Sequence, residues 1–598
     1  MDAAGYTAPL QEMRFALDTL AGLPELARLD AFAHASPDLV EAVLQGAGKL
    51  AGEVMAPLNR AGDLAGAVLE NGVVRTPAGF KEAYSQYVAG GWNAVAVPEE
   101  HGGQGLPQAV ATAVNEMWSS ANMALALCPI LTASAVELLL AYGSAEQRRL
   151  YLDKLVTGEW TGAMNLTEPQ AGSDLGALRT RAVPEGNHFR ITGQKIFITY
   201  GEHDWTPNIV HLVLARLPDA PPGSRGISLF LVPKFLVNPD GSLGKRNDVR
   251  CVSLEHKLGI HASPTCVLSF GDTEGAVGWL VGAPNHGLAA MFTMMNRARL
   301  DVGLQGVAIG DRAYQQARAF ARTRVQGQAA GAAGNGAVPI IQHADVRRML
   351  LSMRAQSEAT RGLAYYVAGM IDRARHHPDA GARQRAQRRV DLLIPVVKAW
   401  STDVGLELCS TNVQVHGGMG FIEETGAAQH LRDARIALIY EGTNGIQAND
   451  LVGRKLARDR GAAVGELIAD MRASEAALAA AAGAEAAAMR APFAAGIAVL
   501  EQASGDLVAA FGEDPARALA GSVPYLRLMG IVAGGWIMAQ SLVAAQRGLA
   551  NGDADRTFCE AKLGTARFYA EHLLPAAPAL LPAITGGATV MGFDLDAL

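Results

Sequence analysis

The sequence predicts a multidomain α+β protein: an N-terminal helical domain over residues 1–160, a middle β-barrel domain over 161–285, a C-terminal helical bundle over 286–460, and an extra C-terminal helical domain over 461–598. Three observations lead there. At 598 residues the chain exceeds what one hydrophobic core supports. Helical spacing of apolar residues fills both flanks, whereas between about 162 and 282 the pattern turns to short alternating runs broken by Pro, Gly and Asn. Aromatics make up only 6% while Gly and Ala are abundant, which suits closely packed helices.

From Leu10 to about Tyr142 the text is helical, with Leu39 to Leu44 and Ala109 to Met123 at helical spacing and turns at Gly90-Gly91 and Gly102-Gly103-Gln104-Gly105. In the middle region Phe189 to Thr192, Lys195 to Thr199, Ile209 to Ala215 and Ile227 to Val232 read as strands. Helical periodicity returns from Ala289 to about Lys455, interrupted by a low-complexity Gly/Ala loop at 327–337. The Ala-rich stretch 476–488 leads into the last helical region. There, Met529 to Ala545 is interrupted by Gln540 and Ser541 and falls short of the roughly 20 residues that span a bilayer. A buried helix is expected instead, packed closely through Gly530, Gly534 and Gly535, and no transmembrane segment.

The net charge of −7 supplies no basic field for nucleic acid. Cys128, Cys251, Cys266, Cys409 and Cys559 are scattered without CxxC spacing, which reads as reduced, cytoplasmic chemistry with no disulfide framework and no metal site. The first residues, Met1 to Tyr6, carry neither a basic nor an apolar leader region, so no secretory signal is expected. No G-x-G-x-x-G stands between strand and helix, so NAD binding is not supported.

The chemistry is concentrated in four stretches. Ile439-Tyr440-Glu441-Gly442-Thr443-Asn444-Gly445-Ile446-Gln447 sets one carboxylate between an aromatic and a glycine. Gln414-Val415-His416-Gly417-Gly418-Met419-Gly420 lies just upstream. The middle region holds Met164-Asn165-Leu166-Thr167-Glu168-Pro169-Gln170-Ala171-Gly172-Ser173-Asp174 and Ile191-Thr192-Gly193-Gln194-Lys195-Ile196-Phe197-Ile198-Thr199. In order and spacing these resemble the acyl-CoA dehydrogenase family over about residues 35–455. The tail and the Lys257 to Thr265 stretch resemble its large subgroup with a C-terminal extension.

The resemblance implies FAD between the barrel and the C-terminal bundle, with its adenosine end reaching a second subunit. Thr167 and Thr199 are the candidate donors to the flavin edge, where a hydroxyl stabilises the electron-rich reduced ring. Ser173 is carried over to the pyrophosphate region, and Phe197 stands where the family usually packs a tryptophan on the flavin. Arg324 and Gln326 resemble the motif that reaches the neighbouring subunit's FAD, although the phenylalanine usual before Gly327 is missing. Gln414, Gly417 and Gly418 match the segment beside the adenosine half, and Thr443 completes the cofactor set.

Glu441 matches the family's base, which takes the α-proton of an acyl-CoA thioester while the β-carbon yields hydride, leaving trans-2-enoyl-CoA. The Glu441 N–H and the cofactor's ribityl chain would bind the thioester oxygen, an oxyanion site worth on the order of 3 to 4 kcal/mol per donor. Acyl-chain binding expels water and is expected to raise its pKa towards neutrality, an expectation prompted by the apolar flanks Ile439 and Tyr440. Members that carry the base on an earlier helix place it before the arginine matched by Arg299, but here that residue is Ala298. Arg299 itself reads equally as a core ion-pair partner, Glu168 as structural, and Asp174 as a turn cap.

The expected substrate is 3-(methylthio)propanoyl-CoA or a straight-chain fatty acyl-CoA, with electrons passing to an electron-transfer flavoprotein. A C-terminal extension on the face used for tetramers implies a homodimer. Two alternatives share the fold. An acyl-CoA oxidase would pass electrons to O2, and a flavin-binding nucleic-acid-protective protein would need a basic tail, whereas residues 461–598 hold 14 Asp/Glu against 8 Lys/Arg. A catalytically silent acyl-CoA-binding scaffold is disfavoured by the retained Glu441.

Overall fold

The computed structural model describes residues 5–331, 336–552 and 555–597, apart from the side chain of Asn296. Residues 1–4, read above as the start without a leader, and 332–335 of the Gly/Ala loop lie outside them.

The N-terminal region is helical, as expected, and centres on two helices, α1 (Gln108–Ala121) and α2 (Met123–Tyr142). Asn122 separates them: its side chain accepts from the Leu125 N–H at 3.1 Å and so caps α2. A short hairpin, Val68–Glu70 with Val73–Arg75, lies within this region and has no counterpart in the sequence reading. Three-residue strands are too brief for period-two patterning to register.

The middle region holds β1 (Thr161–Asn165), β2 (Arg181–Glu185), β3 (His188–Thr199), β4 (Ile209–Arg216), β5 (Ile227–Pro233), β6 (Val249–Leu254), β7 (Thr265–Phe270) and β8 (Ala276–Val281). Strands β3, β8, β5, β4 and β2 pair in a closed ring, with β7 and β6 extending from β3 and β1 parallel on β4. The two strands read at 189–192 and 195–199 are one. Its first half pairs with β8 and its second with β7, and it changes partner at Gly193 (φ 154°), where a Cβ would fall 2.5 Å from the Thr180 hydroxyl.

Three long helices form the bundle: α3 (Gly287–Thr323), α4 (Ala344–His376) and α5 (Ala380–His416). Helices α3 and α5 run parallel and nearly touch, because Gly303 and Gly306 lie against the backbone of Val397 and Ser401. The short helix α6 (Asn444–Asp450) follows, and then α7 (Ala462–Ala480), α8 (Ala484–Glu513), α9 (Ser522–Asn551) and α10 (Arg556–His572) build the appended domain. The Met529 to Ala545 expectation needs correcting. Gln540 and Ser541 do not interrupt α9, and α2, α8 and α9 are each long and apolar enough to cross a membrane. In the fold the most apolar windows of α2 and α9 are 83% buried within protein. Gly530 and Gly534 lie against the Trp400 ring of α5, and Gly535 against Leu574, which is the close packing the glycines suggested. Buried Lys562 of α10 pairs with Glu358 of α4 at 3.1 Å and with Glu12, tying the appended domain to both helical regions.

Candidate functional site

A cavity of 480 Å³ opens where the barrel meets the bundle, and Thr167, Ser173, Phe197, Thr199 and Glu441 all line it. Residues as far apart in sequence as Leu131 and Asp450 thus share one wall system, and Phe292, Met295 and Arg299 also line it.

The barrel side is shaped by one clamp and one bulge. Glu168 accepts from the Arg179 N–H (2.6 Å), the Thr180 N–H (3.1 Å) and hydroxyl (2.6 Å), and the Lys195 ammonium (2.8 Å). Burial opposes its charge, but Lys195 and these donors prevail and hold the carboxyl at about 2. It is the structural residue expected, and it pins the loop that carries Thr167 and Ser173. Asp174 accepts from the Gly176 N–H at 2.9 Å, the expected cap. In β3 the register against β7 shifts between Cys266 and Leu268, and Phe197 takes φ 61°. This bulge leaves the ring 58% exposed and on the cavity wall. A left-handed aromatic residue is unfavourable in isolation, by about 1–2 kcal/mol.

On the bundle side Glu441 also has positive φ, 56°, followed by Gly442 at 83°. Three groups fix this turn. Lys398 of α5 donates to the Gly442 carbonyl and to Asn444 Oδ1, each at 2.8 Å. Gln447 Nε2 donates to the Glu441 carbonyl at 3.1 Å, and Asn444 Nδ2 donates to Asp403 at 2.7 Å. The Glu441 and Gly442 N–H groups donate to no other described residue.

Burial raises the Glu441 pKa, opposed first by Arg299 and then by Lys398. The cavity thus already favours the protonated form before an acyl chain enters. Ile439 is 48% exposed, and Tyr440 turns its hydroxyl onto Gln305, so the apolar shield comes from walls such as Phe292 and Met295. Burial depresses Lys398 to about 7 despite Glu441 and Asp403. Arg299 is buried, pairs with Asp450 at 3.4 Å, and has its guanidinium 5.9 Å from the Phe292 ring centre. Ala298 is buried and carries no proton acceptor.

Thr443 lies off the wall; its hydroxyl accepts from the Ile446 N–H at 3.2 Å and caps α6. The other expected cofactor residues form a second group at the far end of the bundle. Arg324, just past α3, reaches Gln326 at 3.5 Å; Gln414, Gly417 and Gly418 end α5, and all five are exposed. Phe320 stacks on His416 at 4.2 Å and joins the two helix ends. Sequence reasoning missed Lys398 and Asp450. A lysine inside the apolar run Val396-Val397-Lys398-Ala399-Trp400 was a readable signal; Asp450 offered none.

A neighbouring cavity of 260 Å³ lies beyond the Arg299–Asp450 pair. There Arg297 and Glu137 pair at 2.9 Å. All five cysteines are reduced and buried, and no cluster of metal-ligating side chains occurs among the described residues.

The Thr167 and Thr199 side chains line the cavity and make no hydrogen bond to another described residue, and a Cβ on Gly172 would meet open space. Free hydroxyls, an exposed aromatic ring and an open glycine loop fit a flat, acceptor-edged cofactor with a phosphate tail.

Family models match almost the whole chain: the acyl-CoA dehydrogenase N-terminal domain at 52–159, middle domain at 163–273 and C-terminal domain at 285–457, and an acetyl-CoA dehydrogenase C-terminal-like domain at 467–594. The chain is 49% identical over 576 residues to 3-methylmercaptopropionyl-CoA dehydrogenase of Ruegeria pomeroyi, covering 95% of this chain and 96% of that one. It is 35% identical over 525 residues to the broad-specificity linear acyl-CoA dehydrogenase FadE5 of Mycobacterium tuberculosis, covering 84% of each. The solved structure of Caenorhabditis elegans ACDH-11 in complex with C11-CoA has the same fold, with a TM-score of 0.77 at 19% identity over 96% of this chain and 93% of that one. With every domain matched in order, the chain belongs to the acyl-CoA dehydrogenase family, whose cofactor is FAD, and is an enzyme of its large, C-terminally extended kind.

Proposed function

We propose that the protein oxidises 3-(methylthio)propanoyl-CoA or a straight-chain fatty acyl-CoA at the α,β bond, giving the trans-2-enoyl-CoA, with electron-transfer flavoprotein as the acceptor. One observation carries the reading: a carboxylate with raised pKa, Glu441, shares a cavity with Thr167, Thr199 and Phe197. The 49% identity to a methylmercaptopropionyl-CoA dehydrogenase supports the substrate class.

Glu441 removes the α-proton, and its unpaired N–H donates to the thioester oxygen where enolate charge develops. FAD, when bound, supplies the acceptor for the hydride leaving the β-carbon. Thr167 and Thr199 would hold the flavin edge, Phe197 its ring and Ser173 its pyrophosphate. Acyl-chain entry expels water and raises the proton affinity of Glu441 further, towards the range where a base works best. In a homodimer, Arg324, Gln326, Gln414, Gly417 and Gly418 at the exposed bundle end would hold the partner's cofactor, while Thr443 caps the helix that follows the Glu441 turn.

The test is product analysis with an artificial electron acceptor across 3-(methylthio)propanoyl-, butanoyl-, octanoyl- and palmitoyl-CoA. A 2-enoyl-CoA from at least one thioester is expected. Hydrogen peroxide formed in air at the rate of turnover would instead identify an oxidase, and no product from any thioester would leave a binding scaffold.

A further inference from the structure

Lys398 has an environment that the family chemistry does not require of a structural lysine. It is fully buried in the middle of α5, yet it forms no ion pair within 4 Å among the described residues. Its two neutral hydrogen-bond acceptors, Gly442 O and Asn444 Oδ1, both belong to the segment that carries Glu441. A buried ammonium without a contacting carboxylate is costly, and an apolar residue would fill the same space at lower cost. The charges around it are few. Glu441 and Arg299 face it from the Glu441 turn and α3, and Asp403 lies one turn along α5 and is bound to Asn444. Asp450 pairs with Arg299, and Arg454 is its i+4 partner on the following turn. Arg299 acts on Glu441 more strongly but is paired with Asp450, whereas Lys398, the second cation acting on Glu441, has no contacting counter-ion among the described residues.

We propose that Lys398 is a positioning residue for proton abstraction: it holds the left-handed Glu441–Gly442 turn through the Gly442 carbonyl, and its buried charge keeps the Glu441 carboxylate ionised when substrate excludes water. Two contributions are separable. The hydrogen bond fixes where the carboxylate stands, and the charge sets at which pH it is a base. The glycines that bring α3 and α5 together, and Trp400 packed under Gly530 and Gly534 of α9, hold Lys398 in place from behind. The appended domain thereby supports the helix that carries it.

The inference rests on Glu441 being the base, and the test separates the two. Holoenzyme in D2O is given 3,3-dimethylbutanoyl-CoA, which has α-hydrogens but no β-hydrogen, so Glu441 can exchange the α-proton for solvent deuterium with no oxidation. Exchange is read by mass spectrometry from pH 5.5 to 9. Glu441→Gln should abolish it, and exchange that persists sinks the base assignment itself. With Glu441 intact, Lys398→Gln keeps a donor for Gly442 but loses the charge. Its acidic limb should move up by about one pH unit, a loss of about tenfold at low pH that is recovered at high pH. Lys398→Arg carries the charge at every pH, as native Lys398 does below about 7, and its limb should lie at or below the native one, never above it. Lys398→Met should show both the shift and a lower plateau; if it does not fold, the glutamine and arginine pair decides. A glutamine variant whose limb coincides with the native one, or whose rate falls equally at every pH, overturns the electrostatic role.

Discussion

Arg299 and Asp450 face each other at 3.4 Å on the wall of the cavity that holds Glu441, both side chains only 8% exposed. Asp450 therefore controls how much of the Arg299 charge Glu441 experiences. Asp450→Asn leaves the guanidinium less neutralised, which favours the ionised carboxylate and should shift the acidic limb of kcat/KM to lower pH. Breaking a buried pair also costs about 3 kcal/mol, so the variant should melt earlier. An unchanged limb with a lowered melting temperature would assign the pair to stability alone.

Glu441→Gln should retain bound, yellow FAD and lose turnover by about 10³-fold or more, the scale of general-base catalysis. In the native enzyme kcat/KM should fall with decreasing pH through a value above the ordinary glutamate range, because the base works only when ionised and burial raises its pKa. A limb at the ordinary glutamate value would show that the cavity does not shield Glu441.

The clamp at Glu168 gives a stability signature. Its folded-state pKa of about 2 lies below the ordinary 4.5. As pH falls, the unfolded chain takes up this proton first. The contribution is fully present above about pH 4.5 and is lost as pH falls towards 2. Glu168→Gln should be less stable at neutral pH, with Lys195 left unpaired, and should lose part of the native decline in melting temperature between pH 4.5 and 2. Parallel declines would remove Glu168 from that role.

Phe197→Ala should raise the FAD dissociation constant by up to about tenfold, since stacking of this kind is worth about 0.5–1.5 kcal/mol. The left-handed backbone is retained in that variant, so strain does not confound the comparison. Fluorescence titration of the apoprotein with FAD measures it, and an unchanged constant would separate the ring from the cofactor.

Light scattering should give twice the 62.6 kDa chain mass. Arg324→Ala should then release FAD more readily from a dimer whose own cavity is intact. A tetramer would contradict the role given to the appended domain, and unchanged FAD release would detach the bundle end from cofactor binding.

Much of this was legible because the informative residues lie in contiguous stretches. Thr167, Ser173, Phe197, Thr199 and Glu441 were each readable locally, and the fold brings them to one cavity. What stayed hidden was tertiary. Gly193 looked like a strand break because its role, a change of partner along β3, depends on two other strands. The polar pair Gln540-Ser541 looked like an interruption, but the Ser541 hydroxyl donates to Ile537 O within the helix. Asp450 has no motif, and only the crossing of α3 and α6 makes it the partner of Arg299. The side chains that line the cavity with Glu441, such as Phe292 and Met295, lie well over a hundred residues away, which its sequence neighbours could not show.

The most direct test of the central claim is anaerobic mixing of native enzyme and Glu441→Gln with 3-(methylthio)propanoyl-CoA and butanoyl-CoA, followed by visible absorbance. The account predicts rapid loss of the oxidised-flavin band in the native protein with one of these thioesters and none in the variant. Native protein that stays yellow with every acyl-CoA offered, or a variant that bleaches at the native rate, would contradict it.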